Sequence, residues 1–234
     1  LISGGYTSTD VAVVESWNGS AWTEVADINT TRRNSAGNGS DNEDALVYGG
    51  KVPGTFYTQT ESWNGSSWTE VADLNVSREG AGGSGSSNTN ALFIGGETSA
   101  PTRVATTESW NGSAWAETGD LNVARSNNSA SGSNSASVTM GGYSNPAAAY
   151  VASTEEWDSA QPVGAWATGT SMNTARSSMA AAGESAEAAL GFGGNAPSLT
   201  AATEQWNGSS WTEVSDLNTA RNGFMGNGTS TSAL

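Results

Sequence analysis

Five glutamates, Glu15, Glu61, Glu108, Glu155 and Glu204, each stand two residues before a tryptophan, and carboxylates are the groups of this 234-residue chain able to do chemistry. Two carboxyls roughly 5–10 Å apart across a bound sugar could hydrolyse a glycosidic bond, and a ring of five could hold a cation. Histidine and cysteine are absent, so nucleophilic triads, His-based acid/base work and His or Cys zinc sites are excluded. The five glutamates recur at equivalent places in a repeat and must point the same way in each copy, whereas acid and base need unequal surroundings. They therefore read as structural, paired with a repeated arginine or with backbone N–H groups between units. Only Glu79 and Glu184, outside the repeated positions, come near the description of unit-specific acids. Asp41, Glu43 and Asp44 lie together in Ser40–Ala45 and could offer oxygen ligands to Ca²⁺, but the stretch lacks the spaced Gly of a calcium loop and reads as a solvated turn. No metal and no cofactor is expected.

Eight Lys and Arg face 23 Asp and Glu, a formal charge of −15, which argues against nucleic acid or an anionic membrane as partner. No apolar run of about 18 residues is present, so membrane insertion is not expected. Thirty Gly, ten Trp and only five Pro describe an ordered, turn-rich β protein. The chain starts at Leu1, without Met and inside an expected strand, which suggests part of something longer.

The elements that position these residues follow from the repeat. The phrase Glu-Ser-Trp-Asn-Gly-Ser-Ala-Trp-Thr-Glu-Val at Glu15 returns with small changes, and its first Trp falls at Trp17, Trp63, Trp110, Trp157 and Trp206. A second Trp follows at Trp22, Trp68, Trp115, Trp166 and Trp211, a Gly pair keeps the same beat from Gly4-Gly5 to Gly193-Gly194, and an arginine recurs at Arg33, Arg78, Arg125, Arg176 and Arg221. Alternation and turn residues place four short strands per unit. Strand a is Gly/Ala/Ser-rich, b ends in Gly-Gly, c ends in Glu-x-Trp and d begins with the second Trp. Asn-Gly at 18–19, 64–65, 111–112 and 207–208 predicts a two-residue type I′ turn between c and d, with a four-residue loop as the alternative. Each indole can bury ~150–250 Å², roughly 4–6 kcal/mol gross. Asp27, Asp73, Asp120 and Asp216 are expected to accept bonds in the d-to-a turn.

Four-stranded units of about 40–50 residues are the period of propeller blades. The expected fold is all-β, one five-bladed propeller with four antiparallel strands per blade. Blade one is 1–28 plus 222–234, blade two 33–74, blade three 78–121, blade four 125–172 and blade five 176–217. The C-terminal strand is expected to close the ring on the N-terminal blade, and strand a, being small, to lie innermost.

Gly-Gly, a loop, Glu-x-Trp-Asn, a turn, Trp-Thr-Glu-Val and Asp-Leu-Asn-x-x-Arg together resemble the kelch repeat, across all five units. The near-identity of copies is also similar to kelch-like repeats of marine bacteriophage proteins. Departures are the short Asn-Gly-Ser turn, the Ser/Ala/Asn richness and five blades where six is usual. The resemblance implies a propeller that serves as a binding platform. Some kelch proteins are oxidases, but their copper-binding His, Tyr and Cys have no counterpart here.

Positions that vary between copies are free to serve a partner. The b–c loops vary most, and Phe56, Tyr57, Arg103, Tyr143 and Tyr150 are the residues there able to stack on a sugar or fill a protein pocket. The expected function is a non-enzymatic binding or structural module for protein or host-surface recognition, placed in a virion or extracellular assembly. The alternative is a multivalent lectin with sugar sites in the inter-blade grooves, made from a repeated Trp and the Asn-Gly turn.

Overall fold

The computed structural model describes residues 1–99, 102–144, 149–161 and 164–233, and among them there is strand and turn but no helix. Among the described residues no helix is long and apolar enough to cross a membrane.

Four units form antiparallel four-stranded sheets in the order a–b–c–d. In unit two these are Ala36–Gly39, Ala45–Tyr48, Thr60–Trp63 and Trp68–Glu70; in unit three Gly82–Ser87, Asn90–Ile94, Thr107–Trp110 and Trp115–Glu117. Unit four has Ser129–Gly132, Ala136–Met140, Thr154–Asp158 and Ala165–Gly169; unit five has Ala180–Ser185, Ala188–Phe192, Thr203–Trp206 and Trp211–Glu213. The a strands pack on one another from unit to unit. Their small side chains allow it: at Gly83 an added Cβ would sit 2.9 Å from the Ala36 Cβ of the neighbouring unit. Strand b is mostly apolar, and in unit two all four residues Ala45–Tyr48 are buried. This is the expected propeller-like architecture.

Two expectations about local structure are corrected. In units one, two, three and five the c–d connection is the alternative four-residue loop, and in unit four the pairing runs one residue further, to Asp158↔Ala165; in every unit the two tryptophans are direct partners, as Trp17↔Trp22, Trp110↔Trp115 and Trp157↔Trp166 are. Gly19, Gly65, Gly112 and Gly208 have positive φ but the preceding Asn residues do not, which rules out type I′. The Asn acts through its side chain instead: Asn111 Oδ1 accepts from Ser113 N at 3.0 Å and Ala114 N at 3.0 Å, an Asx turn. The indoles pack 5.3–5.5 Å apart in every unit.

The ends also differ from expectation. Unit one is a three-stranded sheet of Ile2–Tyr6, Asp10–Trp17 and Trp22–Val25. The C-terminal strand Gly228–Thr229 pairs with Ser232–Ala233 in a hairpin of its own instead of joining unit one. It takes the place of the next inner strand, packed on Ala180–Ser185 of unit five. Apolar clusters join one unit to the next, and four of them hold a Trp pair. Trp115 and Trp110, for example, pack with Tyr48 and Leu46 across the joint between units two and three. The cluster on the far side of unit five has Phe224 instead.

Candidate functional site: latches between strands and a face of short hairpins

Each repeated glutamate, except the first, lies in a buried latch. In unit three Glu108 accepts from Arg78 Nη2 at 2.8 Å, from Asn75 N at 2.8 Å and from Asn75 Nδ2 at 2.8 Å. The other Arg78 amine donates to Gly95 O and Thr106 O. Arg125–Glu155 and Arg176–Glu204 repeat the pattern, with both side chains at most 2% exposed. Burial pushes these guanidinium groups below the usual arginine range and the paired glutamate opposes it.

In unit two the latch uses Arg32, bonded to Glu61 at 2.6 Å, and not Arg33. The doublet is resolved by the backbone. The Arg32 carbonyl accepts from Gly5 N as the Arg78 carbonyl accepts from Gly50 N, both at 2.8 Å. Arg33 is half-buried and pairs with Asp10 at 3.4 Å. Glu15 is exposed, and Arg221 is exposed over the Phe224 ring at 5.8 Å.

The tryptophans stitch in two directions. The first indole donates to the a–b turn of its own unit, as Trp110 Nε1 does to Asn88 O at 3.0 Å. In units three to five the second donates to strand c of the preceding unit, Trp115 to Thr60 Oγ1, Trp166 to Thr107 Oγ1 and Trp211 to Thr154 Oγ1, at 2.9–3.1 Å, while Trp68 of unit two donates to Ala26 O at 3.0 Å. The eight indoles of units two to five are at most 7% exposed, whereas Trp22 of unit one is 46% exposed. Asp73 and Asp216 accept from Thr58 Oγ1 and Thr203 N at the start of strand c, in place of the expected bonds within the d-to-a turn.

The variable b–c loops are short hairpins. Lys51–Val52 pairs with Thr55–Phe56, Glu97–Ser99 with Thr102–Arg103, Tyr143–Ser144 with Ala149–Tyr150, and Asn195–Ala196 with Ser198–Leu199. The first strand of each also pairs with the residue after the latch arginine, as in Arg33↔Lys51, Glu79↔Glu97 and Ser126↔Tyr143. Of the residues expected to bind, Arg103, Tyr143 and Tyr150 come together. The Arg103 guanidinium lies 4.6 Å from the Tyr143 ring, which meets Tyr150 edge-on at 5.5 Å. Arg103 also donates to Ser126 Oγ at 3.1 Å and pairs with Glu97 at 3.5 Å.

Phe56 and Tyr57 lie apart from that group. Lys51 sits 5.6 Å from the Phe56 ring and pairs with Glu79, and Tyr57 lies 5.7 Å from Arg32. Sequence reasoning missed Tyr6, 59% exposed with Arg33 4.9 Å from its ring, and Leu199, 52% exposed. Tyr6 follows Gly4-Gly5 where Lys51, Glu97 and Tyr143 follow their own Gly pairs, and that spacing was the available signal.

The acidic stretch 40–45 builds an a–b turn: Glu43 N donates to Asp41 Oδ1 at 2.7 Å and Asp44 accepts from Asn88 N. Among the described residues no group of three or more His, Cys, Asp or Glu could hold a metal ion. Glu184 is exposed and Glu79 is tied to Lys51 and Asn34.

No family model and no curated protein matches the chain. Among solved structures, that of YjhT superimposes over 87% of this chain and 71% of its own, with a TM-score of 0.69 at 12% identity. At that identity the likeness establishes the fold alone: an all-β, propeller-like arrangement of repeated four-stranded sheets.

Proposed function

We propose that the chain is a non-enzymatic, kelch-like scaffold of five blades about one axis, whose b–c hairpins present a recognition face to a protein partner. One observation carries this reading. The latch Arg–Glu pairs are spent inside the fold, while the unrepeated cations and aromatics Arg33, Tyr6, Lys51, Phe56, Arg103, Tyr143 and Tyr150 gather on the hairpins. Cation–aromatic contacts there hold the hairpins to their neighbours, so the face is pre-ordered and little entropy is lost on binding.

The test is selection of binders from a displayed protein library, run beside a glycan array. Proteins that bind the wild-type chain and lose at least tenfold in affinity for Arg103→Ala/Tyr143→Ala, at unchanged melting temperature, support the reading. Binders indifferent to every hairpin substitution refute it, and strong sugar binding would replace it with the lectin alternative.

A further inference from the structure

Lys51, Glu79 and Asn34 meet at the joint between units two and three. Lys51 is the one lysine of the chain, and its Nζ donates to Glu79 Oε1. The other oxygen of that carboxylate, Oε2, accepts from Asn34 Nδ2 at 2.7 Å. A single carboxylate therefore holds a primary amine on one oxygen and a primary carboxamide on the other. Glu79 is only 7% exposed, and the Phe56 ring lies 5.6 Å from the amine, so the carboxylate is largely closed to water.

The backbone pins all three residues. Lys51 and Arg33 exchange two backbone bonds at 2.9 Å, and Glu79 and Glu97 exchange two more at 2.9–3.0 Å. Asn34 has φ +52°, and its carbonyl accepts from Gly80 N at 2.9 Å. That left-handed turn belongs to the repeat, since Gly80, Asn127 and Ser178 at the same place also have positive φ. The side chains do not belong to it. Glu97, Tyr143 and Asn195 stand where Lys51 stands, and Arg33, Ser126 and Ser177 stand where Glu79 stands. The blade does not require the trio, which is free to do something else.

We propose that this trio forms an isopeptide bond between Lys51 Nζ and Asn34 Cγ, with Glu79 as the catalytic residue. Glu79 takes a proton from the ammonium, and the freed lone pair attacks Cγ. The Cγ–Nζ bond forms, the Cγ–Nδ2 bond breaks, and Nδ2 leaves as ammonia carrying the proton relayed by Glu79. The carboxylate then removes a second proton from Nζ and passes it to the departing ammonia. Lysine ammonium plus carboxamide thus become a secondary amide plus ammonium, with no oxidant or co-reactant. Glu79 is within hydrogen-bond reach of both nitrogens, as a proton carrier must be. Holding amine and amide together makes an otherwise slow exchange unimolecular. The bond closes residues 34–51 into a loop around strands Ala36–Gly39 and Ala45–Tyr48, and it leaves Arg33 and Arg103 as the cations of the hairpin face.

The test is the intact mass of the purified, denatured chain, beside its digestion by a lysine-specific protease. The wild-type chain should be lighter than its sequence by one ammonia and should resist cleavage after Lys51, because an acylated lysine is not recognised. Lys51→Arg and Glu79→Gln should each have the full mass of their sequences, and Glu79→Gln should be cut after Lys51. A wild-type chain of full mass that is cut after Lys51 overturns the proposal and leaves a plain ion pair. That result needs no variant to fold. Ammonia loss that persists in Lys51→Arg also overturns it, since the loss then comes from succinimide formation at an Asn-Gly turn. A protected Lys51 in Glu79→Gln overturns the role given to Glu79.

Discussion

Glu15 and Glu108 occupy the same place in the repeat, yet replacing each with Gln should have very different costs. Glu108 is fully buried and takes three bonds, from Arg78 Nη2, Asn75 N and Asn75 Nδ2. In the Glu108→Gln variant the new side chain keeps one carbonyl acceptor and turns an amide donor toward other donors, while the Arg78 charge stays buried among Gly95 O and Thr106 O. Removing one partner of a buried pair costs about 3–5 kcal/mol. For a chain of this size each kcal/mol moves the melting temperature by roughly 2–4 °C, so Glu108→Gln should lower it by roughly 6–20 °C. Glu15 is exposed, and Glu15→Gln should stay within about 0.5 kcal/mol of wild type. Thermal and urea unfolding followed by circular dichroism would measure both. Equal effects at the two positions, or a change below about 1 kcal/mol at Glu108, would refute the assignment of the latch.

Gly95 has φ +68°, and a Cβ there would stand 2.7 Å from the Arg125 carbonyl; Gly95→Ala should cost about 1–3 kcal/mol or more in urea unfolding, whereas Gly54→Ala, facing open space, should cost about 1 kcal/mol at most. Asn111→Ala removes the acceptor of the Asx turn and should cost about 1 kcal/mol, while Asn111→Asp, which keeps the acceptor, should be nearly neutral. Burial first and the Glu187 charge second hold the Glu156 carboxyl above its ordinary range. The stability tied to its neutral form is therefore present at low pH and lost as pH rises through the folded-state value. Glu156→Gln should melt higher than wild type at about pH 7 and indistinguishably at about pH 3.

The four-strand unit, the innermost place of the Gly/Ala/Ser strand and the pairing of repeated Glu with repeated Arg could all be read from the spacing, because each follows from periodicity and side-chain size. The c–d loop could not, since Asn-Gly satisfies two turn types and the choice fell to the Asn side chain: Asn64 Oδ1 caps Ser66 N and Ser67 N, which spares Asn64 a positive φ. The Arg32-Arg33 doublet hid the latch residue, though counting forward from the Asn of the link distinguishes them: Arg32 stands three residues after Asn29, as Arg78 does after Asn75 and Arg125 after Asn122. The C-terminal hairpin lay beyond reach because the choice of Gly228–Thr229 to pair with Ser232–Ala233 depends on how whole sheets pack, and no local pattern encodes it. The binding face was half legible. Aromatics in variable loops were visible, but their partners, such as Ser126 for Arg103, lie in the next unit.

The latch arginine faces two ways, its carbonyl toward the Gly pair behind it and its guanidinium toward the glutamate ahead, and each repeat carries one arginine, one Gly pair and one glutamate, the parts needed for the joints on both of its sides. Unequal recombination that copies one such stretch of the gene therefore inserts a part already fitted to both neighbours, with no second mutation required. Lineages can change the number of parts in single steps, and sister copies that still share nearly the same wording are the trace such copying leaves.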